Sequence, residues 1–244
     1  MFYPGVISTG EWTENTYSFT SDEKTIFLTR TTEWDMQSGH LSTMNHGIFT
    51  ETKPLTGLDS IYNGAISPDG NLIIYTVKSP QQESIWLLRK TNGEWSQRSN
   101  LTEQTGVQGG YFHWFSNSEI YFYIPDNNGD IVKGVLDKGV LIIQDRLPIL
   151  NTERATEFSP YVDKEKRFIL FTRYLEGDAG QQGFFVSYNL GNFEIPRWSE
   201  PEKLETLPYG WNGVLINEQT QFLYTDGNDI KSLSAENLGL PLPE

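Results

Sequence analysis

The sequence of 244 residues contains no cysteine, few histidines and far fewer basic than acidic residues. Without cysteine the chain can form no disulfide, no thiolate nucleophile and no cysteine-ligated zinc site. The formal net charge of −14 opposes nucleic-acid binding, because phosphate recognition needs clustered lysine and arginine. No run of about 18 apolar residues occurs, so we expect no membrane insertion.

Several motifs that mark enzymes are also missing from the sequence. It has no P-loop, no dinucleotide-binding fingerprint, no H-E-x-x-H pair and no G-x-S-x-G nucleophile elbow. We therefore expect no cofactor, no metal and no conventional catalytic residue. His40, His46 and His113 are interpreted first as turn and packing residues.

The sequence is rich in turns and aromatic side chains, with 22 glycines, 12 prolines, 12 tyrosines, 14 phenylalanines and 7 tryptophans. This composition favours strands over helices. In the stretch Asn63–Val77, the turn residues Ser67-Pro68-Asp69-Gly70 separate two apolar segments. Proline, aspartate and glycine each favour a tight turn, so this stretch predicts a β-hairpin.

The strand that follows this turn recurs along the chain, as Ile26–Thr29, Ile73–Thr76, Tyr121–Ile124, Ile169–Thr172 and Phe222–Thr225. The turn positions Asp22, Asp69, Asn117, Glu165 and Glu218 are separated by 47, 48, 48 and 53 residues. Each unit continues with a third strand, and most continue with a fourth that runs from an aromatic residue to leucine, as in Phe49–Leu55, Trp95–Leu101 and Trp198–Leu204. Four antiparallel strands in a repeat of about 40 to 50 residues indicate a β-propeller blade.

The pattern predicts an all-β fold, a five-bladed propeller, with six blades as the alternative. The fifth unit lacks a fourth strand, and residues 2–8 lie at the offset expected for one. We therefore predict that this N-terminal strand closes the ring, which removes exposed sheet edges. The prediction is a single domain over residues 1–244, with blades at about 10–55, 56–101, 102–147, 148–204 and 205–233.

The segment ISPDGNLIIYTV and its degenerate copies SFTSDEKTIFLTR and YVDKEKRFILFTR resemble the WD40-like repeat of TolB-type β-propellers. The resemblance covers almost the whole chain, although Asn117-Ser118 and Glu218-Gln219 depart from the turn motif. It implies the propeller fold, and it suggests an extracytoplasmic location, periplasmic or secreted, with the cytoplasm left open. It assigns no activity, because repeat residues maintain blades rather than perform chemistry.

Loops that lead into the innermost strands, and loops between second and third strands, meet at one end of a propeller channel. We call this end the mouth. The predicted ligand-binding residues at the mouth are charged and aromatic: Glu14, Arg30, Trp34, Tyr62, Tyr111, Glu157, Arg173, Trp211 and Asp226.

Two interpretations of the mouth carboxylates are open. Glu14 and Glu157 could act as the acid and base of a glycosidase. Alternatively, Glu14–Arg30 and Glu157–Arg173 are structural ion pairs, since both pairs are separated by 16 residues. The repetition favours the structural role.

We predict a non-catalytic binding module, with a protein segment or a glycan as its ligand. The alternative function is a carbohydrate-active enzyme, a glycoside hydrolase or lyase with carboxylates at the mouth. We further expect a monomer. A calcium loop at Asp126–Asp130 is a minor alternative to a polar turn, because the spacing departs from the EF-hand pattern.

Overall fold

The computed structural model describes residues 1–33, 36–58, 60–78 and 83–242. Its strands form five antiparallel sheets in chain order, the predicted five-bladed β-propeller. Blade one contains β1 (Thr13–Phe19), β2 (Thr25–Glu33), β3 (Met36–Asn45), β4 (Ile48–Phe49) and β5 (Lys53–Pro54). Blade two contains β6 (Asn63–Ile66), β7 (Leu72–Lys78), β8 (Glu83–Thr91) and β9 (Glu94–Asn100).

The remaining blades follow the same order from the innermost strand outward. Blade three contains β10 (Gly110–Trp114), β11 (Glu119–Ile124), β12 (Asp130–Asp137) and β13 (Val140–Asp145). Blade four contains β14 (Thr156–Val162), β15 (Phe168–Tyr174), β16 (Gly183–Tyr188) and β17 (Glu202–Lys203). Blade five contains β18 (Trp211–Ile216), β19 (Gln221–Thr225) and β20 (Ile230–Ser234).

The predicted turn between β6 and β7 is held by its aspartate. The Asp69 carboxylate accepts the Ser67 hydroxyl at 2.6 Å and the Asn71 backbone N–H at 3.0 Å. In blade one, Asp22 accepts the Thr20 hydroxyl at 2.7 Å in the same way. The turn residues thus fix the hairpins, as the sequence predicts.

The hydrophobic core is divided into clusters that lie between neighbouring blades. One cluster joins Phe27 of blade one to Ile73 and Leu88 of blade two. Another joins Tyr121 of blade three to Phe171 of blade four. Because every such side chain is buried against the next sheet, the blades stabilise one another around the ring.

Repeated threonines at the ends of second strands add polar links between blades. The hydroxyl groups of Thr76, Thr172 and Thr225 donate to backbone carbonyls of the following blade, those of Gly109, Gly210 and Glu14. The last of these bonds joins blade five to blade one. Each bond pairs a buried hydroxyl group with a backbone carbonyl of the next blade.

The N-terminal segment does lie between blades five and one, but it forms a turn and not a regular strand. The Phe2 N–H donates to the Ile230 carbonyl at 2.8 Å, while the Ile7 N–H bonds back to Tyr3 at 2.9 Å. Pro4 has no N–H to contribute to a ladder, and Gly5 has a φ of +77°. Phe2 and Ile7 therefore join the ring ends mainly by burial, at 4% and 0% exposure.

The outer strands differ most from the sequence prediction. In blade four the predicted Trp198–Leu204 strand is reduced to β17, because Pro201 interrupts the backbone ladder. A short helix, α1 (Leu101–Thr105), was not predicted. It begins at Asn100, whose side chain accepts the Glu103 N–H, and ends at Gly106 in the left-handed conformation. Within the described part of the chain no helix is long and apolar enough to cross a membrane.

Candidate functional site: an aromatic cavity at the channel mouth

The innermost strands of four blades carry a recurrent irregularity in their pairing with the second strands. The register with the second strand shifts within β1, β10, β14 and β18. Tyr111, Ser159 and Asn212 at these bulges have φ values of 53°, 51° and 55°. A positive φ in a residue other than glycine is strained. Because it recurs at the bulges of three blades, the strain belongs to the repeated fold and not to one residue. In β10 the bulge places the Tyr111 side chain at the mouth.

A cavity of about 270 Å³ opens at this mouth. Its lining is dominated by aromatic rings from blades two to five. The lining side chains include Tyr62, Lys78, Glu83, Tyr111, Tyr123, Phe158, Tyr174 and Tyr209.

The rings support one another across blade boundaries. Tyr111 contacts Tyr62 with ring centroids 6.1 Å apart, Tyr123 at 6.2 Å and Phe158 at 5.0 Å. The hydroxyl groups of Tyr62 and Tyr111 lie 3.2 Å apart and share a hydrogen bond. On the other side, Tyr174 contacts Tyr209 at 6.1 Å. Edge-on and tilted packing of this kind fixes the rings, so the cavity wall is preformed.

Burial raises the pKa of three tyrosine hydroxyl groups in the cavity wall. It raises the pKa of Tyr123 to about 12 and that of Tyr111 well above its ordinary value. The pKa of Tyr209 is also raised by burial. Near neutral pH these groups therefore act as hydrogen-bond donors and acceptors, not as bases.

One ion pair stands at the rim of the cavity. Lys78 at the end of β7 lies 3.4 Å from Glu83 at the start of β8. The Lys78 ammonium also lies 3.5 Å from the centroid of the Tyr62 ring, a cation–π contact. Among the described lining residues, Glu83 is the only acidic side chain.

The predicted pairs Glu14–Arg30 and Glu157–Arg173 both form, inside their own blades. Arg30 Nε donates to Glu14 Oε1 at 3.1 Å, and Arg173 Nε donates to Glu157 Oε1 at 2.7 Å. Both glutamates are 0% exposed. Neither carboxylate lines the mouth cavity, so the structural interpretation of the equal spacing is supported.

The arginines also hold the segments that precede each inner strand. Arg173 donates to the Leu150 carbonyl at 3.0 Å, and Arg30 donates to the Val6 carbonyl at 3.2 Å. The pairs recur at the same spacing because hairpin pairing sets Glu14 opposite Arg30 and Glu157 opposite Arg173. Burial raises the pKa of Glu14 to about 7, against the lowering effect of Arg30, and Asp229 raises it further. Burial likewise raises the pKa of Glu157 to about 7, opposed by Arg173.

The other predicted site residues are not among the described residues that line the cavity. Trp34 lies outside the described residues. Trp211 donates its indole N–H to the Asn15 carbonyl and side-chain oxygens, each at 3.0 Å, which links blade five to blade one. Asp226 accepts the backbone N–H groups of Asn228 and Asp229 at 3.0 Å and thereby shapes a turn.

Tyr62 and Tyr111 are thus the predicted residues that the structure brings together in the cavity. The prediction missed Tyr123 and Tyr174, which lie on second strands that were interpreted only as framework. It also missed Phe158, Lys78 and Glu83. A usable signal was present for Tyr174, because it directly follows Arg173 at a strand end facing the mouth.

A second and larger cavity, of about 480 Å³, lies at the opposite end of the channel. Tyr17, His113 and Tyr161 line it. His113 contacts the Val162 carbonyl at 3.2 Å, and burial lowers its pKa to about 4, so its ring is neutral near pH 7. The sequence did not predict this cavity.

The carboxylates of the polar loop between β11 and β12 are engaged by neighbouring side chains. Asp126 pairs with Arg146 at 2.7 Å, and Asp130 accepts the Asn127 amide at 3.0 Å. Within the described ranges, no three histidine, aspartate or glutamate side chains cluster as metal ligands would. The loop is therefore organised by its own hydrogen bonds.

Comparison with known proteins was made at three levels. No protein-family model matches the sequence, and no curated protein matches it. Solved structures do match. TolB from Acinetobacter baumannii has a TM-score of 0.59 at 13% identity over 92% of this chain. A putative TolB from Agrobacterium tumefaciens has a TM-score of 0.56 at 15% identity, with 91% of this chain and 80% of that protein covered.

A third similar structure is a thermostable family-43 glycoside hydrolase, with a TM-score of 0.59 at 10% identity over 93% of this chain and 92% of that one. The chain spans about half, 52%, of the Acinetobacter TolB structure. At these identities the likeness shows the fold alone. The predicted resemblance to TolB-type propellers is confirmed at that level.

Proposed function

We propose that the protein is a non-catalytic binding module that takes a protein segment or a glycan at its mouth cavity. The observation that carries the proposal is the preformed wall of tyrosines, which combines apolar ring faces with neutral hydroxyl groups. Tyrosine is favoured at recognition surfaces because it offers a large contact area with little conformational entropy to lose. Sugar rings and peptide side chains both suit such a wall.

The charge distribution supports neutral or basic ligands. The whole chain carries a formal net charge of −14, whereas the described lining of the cavity has one charged pair, Lys78–Glu83. Nucleic acid and anionic lipid would be repelled by the overall field.

The proposal is tested with two ligand panels, an immobilised glycan array and a displayed peptide library, followed by titration of the best binder. Tyr174→Ala and Tyr209→Ala remove rings that are 38% and 42% exposed, so they should leave the fold intact. We expect each to weaken binding by about tenfold. Phe193→Ala is the matched control, since Phe193 is 46% exposed and packs on Phe115, away from the mouth cavity. Unchanged affinity in both tyrosine variants would place the site elsewhere.

A carbohydrate-active enzyme is the second candidate function, favoured by the structural likeness to a family-43 glycoside hydrolase. Such chemistry needs two carboxyl groups facing the substrate, while Glu14 and Glu157 are buried and paired with arginine. We expect no hydrolysis or elimination from a panel of polysaccharides. Turnover that disappears in Glu157→Gln, with the fold retained, would establish the enzyme instead.

A further inference from the structure

The aromatic rings of the mouth cavity meet at steep angles. The plane of the Tyr111 ring is inclined by 83° to that of Tyr62 and by 90° to that of Tyr123. Tyr174 and Tyr209, which also line the cavity, are inclined by 59° to each other. Rings inclined in this way form several walls of a box, whereas parallel rings form one stacking platform. The arrangement suits a rounded group better than a flat one.

The size of the cavity limits the part of a ligand that it encloses. Its volume is about 270 Å³, slightly below the range of roughly 300–1,000 Å³ that is usual for sites that bury most of a drug-sized ligand. A single compact group therefore fits inside, and the remainder of a longer ligand lies outside the rim.

A positive charge already lies against one wall of the cavity. The Lys78 ammonium is 3.5 Å from the centroid of the Tyr62 ring. The face of an aromatic ring carries partial negative charge, which attracts a cation. Lys78 is paired with Glu83 at 3.4 Å, and the two side chains are 39% and 28% exposed at the rim. The contact shows that the cavity presents a ring face to a cation at a position open to solvent.

The carboxylate of Glu83 adds negative charge to the cavity. Burial is the largest cause of the raised pKa of Tyr123, at about 12, and the charge of Glu83 is the next. Glu83 also contributes to the raised pKa of Tyr111, after burial and the neighbouring Tyr62. Its field therefore reaches hydroxyl groups of the cavity wall, and the formal net charge of −14 has the same sign. Both favour a cation over an anion.

We propose that the mouth cavity is an aromatic cage for a quaternary trimethylammonium group, the chemistry shared by a trimethyllysine side chain and choline. The inference rests on the proposed function, because it names the class of group recognised at the same site. A quaternary ammonium carries its charge beneath methyl groups and has no N–H, so ring faces satisfy it without hydrogen-bond acceptors. A primary ammonium needs acceptors for three N–H donors. Lys78 finds one in Glu83, and it therefore competes with the ligand for the Tyr62 face and the carboxylate.

Calorimetric titration of the full chain with choline tests the proposal. The reference ligand is the neutral isostere of choline in which a carbon atom replaces the nitrogen, so that the shape is constant and the charge differs. Sodium chloride fixes the ionic strength at about 0.15 M, where the Debye length is about 8 Å, so that the general attraction of cations to an acidic chain is screened. We expect choline to bind about tenfold more tightly than the isostere. Equal affinities, or no binding of choline at millimolar concentrations, would overturn the proposal.

Removal of the rim lysine distinguishes a cation site from an anion site by the sign of its effect. Lys78→Met frees the Tyr62 face and the Glu83 carboxylate, so the affinity for choline should rise by about tenfold. Lys90→Met is the matched control, because Lys90 also lies near a ring, 5.6 Å from the Trp95 centroid, but close to the other end of β8. Both variants change the net charge equally. An affinity that falls or stays constant in Lys78→Met would contradict the proposal.

Removal of the rim carboxylate should have the opposite effect. Glu83→Gln should weaken choline binding by about tenfold, because the cavity loses its acidic side chain. Glu165→Gln is the matched control, since Glu165 also pairs with a basic side chain, Arg167 at 3.6 Å, in the turn between β14 and β15. An equal loss of affinity in both variants would show that net charge alone attracts choline, against the proposal.

A trimethyllysine peptide and the same peptide with unmodified lysine distinguish the two sources of the group. If the modified peptide binds more tightly than choline, the source is a protein segment, and if it binds equally, the source is a small molecule. Both results support the cage, whereas equal affinity of the modified and unmodified peptides would contradict it.

Failure of the cage differs from failure of the binding module. If Tyr174→Ala and Tyr209→Ala weaken the binding of a glycan or an unmodified peptide while choline does not bind, the cage is wrong and the proposed function stands. If neither tyrosine variant changes the affinity for any ligand, choline included, both are wrong.

Discussion

Two buried carboxyl groups have pKa values raised to about 7, and pH-dependent stability measures the balance between burial and pairing with arginine that sets those values. Glu14 and Glu157 are 0% exposed and bonded to Arg30 and Arg173. Burial opposes their ionisation more strongly than the arginines favour it. We predict that Glu14→Gln and Glu157→Gln become more stable relative to the wild type as the pH rises.

The magnitude follows from the shift in pKa between the unfolded and folded chain. Moving a glutamate from its ordinary value of 4.5 to about 7 corresponds to about 3 kcal/mol for each group. Between these two pH values the folded chain holds a proton that the unfolded chain has released, so rising pH favours unfolding. Glutamine does not titrate, so the variants do not lose this part of the free energy of unfolding as the pH rises. Below about pH 4.5 the variants and the wild type should therefore be similar, and above about pH 7 each variant should be the more stable by up to about 3 kcal/mol.

The comparison must be made against the wild type at each pH, because two histidines act in the opposite direction. Burial lowers the pKa of His40 and of His113 to about 4. Their contribution to stability is lost as the pH falls from 6.5 toward 4. It is present in the wild type and in both variants alike, so it cancels in the difference.

The assay is urea unfolding of the wild type and the two single variants at pH 5, 6, 7 and 8, followed by tryptophan fluorescence. Variants that are less stable than the wild type by an amount that stays constant from pH 5 to 8 would show that the carboxylates are ionised throughout this range and that pairing with arginine outweighs burial. That outcome would contradict the prediction.

Three further predictions address the hydrogen bonds between blades, the channel and the turns. Thr225→Val should lower the free energy of unfolding by about 1–3 kcal/mol, because it removes the hydroxyl group that donates to the buried Glu14 carbonyl. The control in urea unfolding is Thr91→Val, since Thr91 is exposed. An equal effect of both substitutions would contradict a stabilising role for the bond between blades. The ring signals of His113 should not titrate between about pH 5.5 and 8 in a nuclear magnetic resonance experiment, since its pKa is lowered to about 4, and a midpoint near 6.5 would contradict its burial. Asp69→Ala should cost about 0.5–1.5 kcal/mol through lost turn hydrogen bonds and leave ligand affinity unchanged, while a large loss of affinity at constant stability would be the contrary result.

The fold could be predicted from the sequence because strand and turn signals are local. The Asp69 turn is held by hydrogen bonds to Ser67 and Asn71 within the same motif. A short stretch of sequence therefore contains all the residues that form these bonds. The ion pairs were predictable for a related reason. Glu14 and Arg30 lie opposite each other on hairpin strands, as do Glu157 and Arg173, and hairpin geometry repeats at equal spacing.

The outer strands and the cavity wall could not be predicted in the same way. The length of β17 depends on Pro201 and on how the preceding loop crosses the blade, which a periodic pattern does not contain. The tyrosine wall joins residues of different blades, such as Tyr174 and Tyr209, whose contact depends on how the sheets pack. Lys78 and Glu83 meet only because β7 and β8 pair in register across their connecting loop.

Departures from the repeat show where the chain carries more than its fold requires, and several of them fall in blade three. At the inner bulge β14 has Ser159 and β18 has Asn212, whereas β10 has Tyr111, which lines the mouth cavity. At the end of the second strand four blades have threonine, whereas β11 ends in Ile124. The outer strand carries an uncharged run, Val140–Ile143, where β9 carries charges. A propeller blade needs none of these changes, since its sister blades fold without them. Blade three is therefore where a ligand at the mouth is to be sought.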